Sequence, residues 1–261
     1  MNAPQRSLRV AILVFNGVEA LDLAGPFEVF TTASRMQQRA APEARGGCRT
    51  WGVDSENRPQ RGQFLPNLQP HSPAMGQKDG EKWTAAVGLQ PTLPKSNSLL
   101  TLFDVRCVAR TPDPIHARAG MTVVPTCDFA DAPSIDLLIV PGGVVDEPMR
   151  CAETLDWIAR VHSTTMITAS VCTGAFVLAA SGTLRSGPVT THWEDQADLA
   201  QQFPALDVQS GVRWVDQGRI VTSGGISAGI DMGLHLVARL ANEALAQRTA
   251  HQMEFQWTRN A

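Results

Sequence analysis

Ala169-Ser170-Val171-Cys172-Thr173-Gly174-Ala175-Phe176 places one cysteine where a buried strand turns sharply into a helix. Upstream, Thr165-Met166-Ile167-Thr168-Ala169 reads as a short buried strand. Downstream, Gly174 to Ala180 reads as the apolar start of a helix that ends near Ser181-Gly182. A thiol at such a turn sits under the free N–H groups of the helix's first turn, which favour a thiolate and make Cys172 a candidate nucleophile. Gly174 lets the backbone pass close to a group bound at sulfur. The competing reading is a core cysteine, since free cysteine is among the most often buried residue types.

Outward from this turn, strand and helix patterns alternate. Val10 to Phe15 reads as a core strand, Asn16-Gly17 as a turn, and Leu21 to Thr32 as a helix with Pro26 in its first turn. Leu102 to Ala109 and part of Ile115 to Val124 read as further strands or a hairpin, and Leu137-Leu138-Ile139-Val140 as a strand ended by Pro141-Gly142-Gly143. A helix over Ala152 to Val161 precedes the cysteine strand. An extended piece at Arg213 to Asp216, a strand at Ile220 to Ser223 and a last helix from Ile226 to Ala241 follow it. The alternation predicts an α/β sandwich around a mainly parallel sheet. In such sheets ligands bind beyond the carboxyl ends of the strands. Gly142-Gly143, Cys172-Thr173 and Ser223-Gly224-Gly225 all fall at such ends, so they are expected to share one pocket.

The 261 residues read as a single domain over 1–261, interrupted at about 41–98 by a stretch rich in proline and glycine with only short apolar pieces. That stretch reads as a loosely ordered insertion. The composition, 43% hydrophobic and 18% charged, is that of an ordinary globular protein. A net charge of -3 with no Lys/Arg-rich run argues against direct nucleic-acid binding.

Five cysteines at 48, 107, 127, 151 and 172 have no zinc-like spacing, and their odd number leaves one without an intramolecular partner, so a reducing cytoplasm is expected. The start of the chain lacks a signal-peptide pattern, and no apolar run is long enough to span a bilayer. Dinucleotide, phosphate-loop and H-E-x-x-H motifs are missing, and the six histidines are scattered.

The strand–Cys–helix segment, Phe15-Asn16-Gly17-Val18 with Leu21-Asp22-Leu23-Ala24-Gly25-Pro26, Asp136 through Gly143, Thr190-Thr191-His192-Trp193 and Thr222 through Asp231 together resemble the DJ-1/PfpI superfamily, most specifically its isonitrile hydratase-like branch. The resemblance covers roughly 8–40 and 102–257, and implies a flavodoxin-like three-layer sandwich with a nucleophile elbow. It assigns Cys172 as nucleophile and Asp22 as the acidic partner that reaches it. The competing reading of Asp22 is a helix N-terminal cap before Pro26. The N–H groups of Gly143 and Thr173 are expected to cradle negative charge, and the Thr173 hydroxyl to orient substrate or water. His192 is either a base near the cysteine or a residue that fixes a turn beside Trp193. Asp231 reads as structural. Trp193, Phe15 and Ile226 read as pocket-lining or core residues.

Thr173 stands where protease-like and several glyoxalase-like members carry histidine, which weakens a peptidase reading. The resemblance implies hydration of a small organic isonitrile to an N-substituted formamide, without metal or cofactor. Glyoxalase-like aldehyde chemistry and a metabolite- or redox-sensing domain are the alternatives. It also implies a homodimer. Related domains precede helix-turn-helix modules in regulators, and the residues after the last predicted helix leave no room for one here.

Overall fold

The computed structural model describes residues 6–40 and 101–259. It opens with β1 (Leu8–Leu13), α1 (Ala20–Ala40), β2 (Phe103–Ala109), β3 (Ile115–His116), β4 (Thr122–Val123), β5 (Cys127–Asp128) and β6 (Leu137–Val140). There follow α2 (Asp146–Arg150), α3 (Ala152–Thr164), β7 (Ile167–Val171), α4 (Gly174–Ala180), β8 (Gly187–Val189) and α5 (Gln196–Gln202). The last elements are β9 (Leu206–Val208), β10 (Trp214–Asp216), β11 (Ile220–Ser223), α6 (Ala228–Leu240) and α7 (Glu243–Gln252).

Seven strands form one sheet in the order β10-β11-β7-β6-β1-β2-β5, parallel throughout except for the β10–β11 edge. Every residue of β6 and β7 is buried, because helices cover both faces. Helices α1, α6 and α7 pack together on one face, and α2, α3 and α4 on the other. The result is the α/β sandwich of flavodoxin-like type that the alternation predicts. The chain runs outward from β1 to β2 and then returns across β1 to β6, so the strand order reverses between β1 and β6. At such a reversal the two flanking connections leave to opposite faces and open a crevice at the strand ends.

Some elements depart from their sequence reading. The helix expected over 21–32 runs from Ala20 to Ala40, and its start at Ala20 puts Pro26 beyond the first turn. There its ring nitrogen has no hydrogen to give the carbonyl of Asp22. The cysteine strand starts two residues later than expected and ends at Val171, directly before Cys172. Short polar α5 and α7 and the β8–β9 pair escaped the hydrophobic periodicity altogether. The insertion expected at about 41–98 lies outside the described residues.

Candidate active site

Cys172 bridges β7 and α4 with φ at 56°, a left-handed conformation that is uncommon for a residue with a side chain. Its own peptide groups are pinned on both sides. The Cys172 N–H donates to the Ser223 carbonyl at 3.1 Å, and Thr191 Oγ1 donates to the Cys172 carbonyl at 2.7 Å. Gly174 allows this turn to close on the end of β6, since a Cβ there would strike the Val140 and Pro141 carbonyls. The sharp strand-to-helix turn read from 169–176 is therefore present, and it aims the thiol into the crevice.

Asp22 lies in the first turn of α1 and is fully buried. Its carboxylate does not cap its own helix. Oδ2 accepts from the Gly142 N–H at 3.1 Å and Oδ1 from the Ile226 N–H at 3.0 Å, so one side chain ties the start of α1 to the segments that follow β6 and β11. Burial pushes its pKa up to about 6 against the pull of these two bonds. The Cys172 thiol is pushed up to about 12, first by burial and then by the charge of the same carboxylate. The nearby Thr173 N–H acts in the opposite direction and is outweighed. Burial therefore opposes the thiolate that the turn was expected to favour.

Thr173 and Gly143 are locked together. Thr173 Oγ1 accepts from the Gly143 N–H at 2.9 Å and donates to the Gly143 carbonyl at 3.0 Å. The Gly143 N–H expected to face developing charge is therefore committed to a hydroxyl, and that hydroxyl is itself committed to the loop. Gly142 is needed beside them, because a Cβ there would come within 2.6 Å of the Thr173 nitrogen.

His192 fixes the turn beside Trp193 and also stands near the cysteine. Its Nδ1 accepts from the Glu194 N–H at 3.4 Å and caps the 3-10 turn Trp193–Asp195, while its ring lines the same cavity as Cys172. Only the missing side chain of Gly225 separates the two, since a Cβ at that position would overlap the imidazole and lie 3.2 Å from Cys172 Sγ.

The cavity over the thiol measures about 240 Å³ and includes Gly143, Thr173, His192 and Ile226 in its wall. It also takes in Glu19, Arg118, Glu194 and Asp195, which the sequence reading had not singled out. Glu19 precedes Asp22 by three residues and Glu194-Asp195 follow His192-Trp193, so proximity to known landmarks was the signal for them. Arg118 arrives from the β3–β4 hairpin and carried no such signal.

Phe15 instead borders a separate cavity of about 270 Å³ at the ends of β1 and β2. Trp193 is 73% exposed and borders a neighbouring cavity of about 480 Å³. Asp231 accepts from Arg213 Nε at 2.8 Å and from the Thr258 N–H at 2.7 Å, a structural arrangement away from the thiol. Among the described residues, no three His, Cys, Asp or Glu side chains gather where they could hold a metal ion. Nor is any described helix long and apolar enough to cross a membrane.

Comparison with known proteins supplies the family context. Over 143 residues the chain is 38% identical to isonitrile hydratase of Pseudomonas putida, a stretch covering 54% of this chain and 61% of that enzyme. Over 146 residues it is 28% identical to the HTH-type transcriptional regulator GbdR of Pseudomonas aeruginosa, covering 56% of this chain and 40% of the regulator. The alignments thus span less than two thirds of either relative. Among solved structures, a THiJ/PfpI family protein from Pseudomonas syringae superposes with a TM-score of 0.66 at 23% identity, over 98% of this chain and 78% of that one. Drosophila melanogaster DJ-1beta superposes with a TM-score of 0.63 at 13% identity, over 96% of this chain and all (100%) of that one, so both likenesses speak to fold alone. The DJ-1/PfpI family profile matches residues 99–239, more than half of the chain, and this stretch carries both the strand end at Gly142 and the elbow at Cys172, so the chain belongs to the DJ-1/PfpI family.

Proposed function

We propose that this chain is a cysteine-dependent enzyme that hydrates a small organic isonitrile to an N-substituted formamide. The observation that carries the reading is the Cys172 thiol, held at a left-handed turn on the wall of a small cavity and acted on by the buried Asp22 carboxylate. The likeness to isonitrile hydratase supports it over the matched region.

An isonitrile carbon must gain both a proton and a nucleophile. A thiol beside a carboxylate poised near neutrality supplies both from one place. Asp22 takes the proton from sulfur as the S–C bond forms and delivers it to the same carbon, leaving a thioimidate, R–N=CH–S–Cys172. Water then adds across the C=N bond, its hydroxyl going to carbon and its other proton to nitrogen. The C–S bond breaks, the sulfur regains through Asp22 the proton of the new hydroxyl, and R–NH–CHO leaves. The reaction balances as isonitrile plus water.

Thr173 serves in two ways. Its N–H supports negative charge on sulfur, and its hydroxyl fixes the Gly143 loop over the cavity. Gly143 and His192 then act as positioning residues around the substrate. Since Thr173 follows the nucleophile, the adjacent imidazole of a Cys-His acyl-transfer site is missing, and a peptidase is the poorer fit.

Formamide release from a panel of aliphatic and cyclic isonitriles by wild-type and Cys172→Ala protein tests the reading. Product with wild type and none with the variant is expected. Full turnover by Cys172→Ala would overturn the mechanism, and no product from folded wild type across the panel would overturn the hydratase reading. The likeness to a transcriptional regulator then favours the second reading, a metabolite- or redox-sensing domain built on the same thiol. A homodimer in the cytoplasm completes the proposal on family resemblance, with sedimentation equilibrium as its check.

A further inference from the structure

The charged side chains around the thiol cavity are unevenly divided. Glu19, Glu194 and Asp195 carry negative charge there, against Arg118 and a histidine. Arg118 Nη1 lies 3.7 Å from Glu19 Oε2, so these two charges largely offset each other. That leaves Glu194 and Asp195 on the 3-10 turn as the net charge of the wall, with Asp22 buried beneath the sulfur. Asp195 is the better shielded of the two, its side chain 35% exposed against 64% for Glu194. Both carboxylates lie within 4 Å of His192 Nδ1, at 3.7 Å for Glu194 and 3.4 Å for Asp195, which places them at the cavity's edge.

We infer that the Trp193–Asp195 turn selects by charge, so that the Cys172 site takes neutral or positively charged small molecules and turns away those bearing a carboxylate or another anion. A cleft lined by one sign of charge with low-dielectric walls concentrates the field, raises the local concentration of oppositely charged reactants and excludes like charge. Rejection of this kind is a specificity device in its own right, because it needs no contact with the accepted molecule. The field of Asp195 also reaches the sulfur, where it adds to the upward push on the thiol. For the identity of the substrate the inference rests on the isonitrile reading. The charge selection itself acts on any reagent that approaches the sulfur.

The first test therefore does not use catalysis. Cys172 is alkylated at low ionic strength with neutral iodoacetamide, anionic iodoacetate and cationic (2-bromoethyl)trimethylammonium, and the product is quantified on the Cys172 peptide by mass spectrometry. Each rate is divided by that of the same reagent with free cysteine. In wild type the normalised iodoacetate rate is expected to fall below that of iodoacetamide by roughly tenfold, with the cationic reagent at or above it. In the isosteric Glu194→Gln/Asp195→Asn variant, with its fold checked by near-ultraviolet circular dichroism, the gap should close, as it should in wild type at high salt. Equal normalised rates in wild type, or a gap that the variant leaves unchanged, would overturn the assignment.

A second arm compares hydration of neutral, ammonium-bearing and carboxylate-bearing isonitriles of equal length. Alkylation selectivity without any hydration would sink the hydratase reading and leave the charge selection standing. Hydration of all three at equal efficiency, with no alkylation selectivity, would do the reverse.

Discussion

At the scale of single residues, the Asp22–Cys172 pair is a case of two acids whose environments raise both pKa values, so that one proton is held between them across neutral pH. Removing the carboxylate removes its charge from beside the thiol. In Asp22→Asn the Cys172 thiol should therefore titrate below the wild-type value of about 12, followed by the ultraviolet absorbance of the thiolate. A midpoint that stays in place would mean that burial alone sets it. The same shift has a sign in stability. A carboxyl raised from 3.8 to about 6 binds more protons folded than unfolded, so its contribution is fully present below pH 3.8 and is lost as pH rises through 6. Between pH 4 and 7 the wild type should lose about 2 kcal/mol more stability than Asp22→Asn, measured by denaturant unfolding at each pH. Parallel profiles for the two proteins would contradict it. The residue types at 22 and 172 were legible in the chain, but their protonation was not, because desolvation depends on what the rest of the molecule packs over them.

Among the elements, α4 shows how a short helix is placed by contact rather than propensity. Alanine is ordinarily a better helix former than glycine by about 1 kcal/mol. At Gly174 the sign should reverse, because the added Cβ meets the backbone carbonyls of Val140 and Pro141, which cannot rotate away. Gly174→Ala is expected to lose about 1–3 kcal/mol, read as a lower denaturant midpoint. A raised midpoint would show that the elbow can shift. Gly225→Ala places its Cβ against His192 and 3.2 Å from the sulfur, so it should slow Cys172 alkylation and turnover together while the protein still folds. Buried β6 and β7 were readable from their apolar runs. Helix α7 was not, since its stripe of Leu245, Ala246, Thr249 and Ala250 is weakly apolar and its start rests on one cap, Asn242 Oδ1 accepting from the Leu245 N–H at 2.9 Å. Only packing against α1 and α6 makes that stripe a core face.

For the molecule as a whole, Asp231 joins α6 to the strand entry at Arg213 and to the segment after α7 at Thr258. Asp231 is fully buried and Arg213 half-buried, so Asp231→Ala should cost about 1–3 kcal/mol by removing the acceptor shared by the Arg213 guanidinium and the Thr258 N–H. Hydrogen exchange at residues 253–259 should accelerate in that variant, and unchanged protection there would refute the link. By itself the sequence determined the alternation of strand and helix, the parallel sheet, and the gathering of Gly142-Gly143, Cys172 and Ser223-Gly224-Gly225 at strand ends, because these follow from local periodicity and turn chemistry. The tertiary structure alone decided that Asp22 meets N–H groups 120 and 204 residues away, that Gly143 and Thr173 satisfy each other, and that Arg118, Glu194 and Asp195 face the thiol. Those outcomes depend on distance and desolvation between elements remote in the chain, which no local pattern encodes.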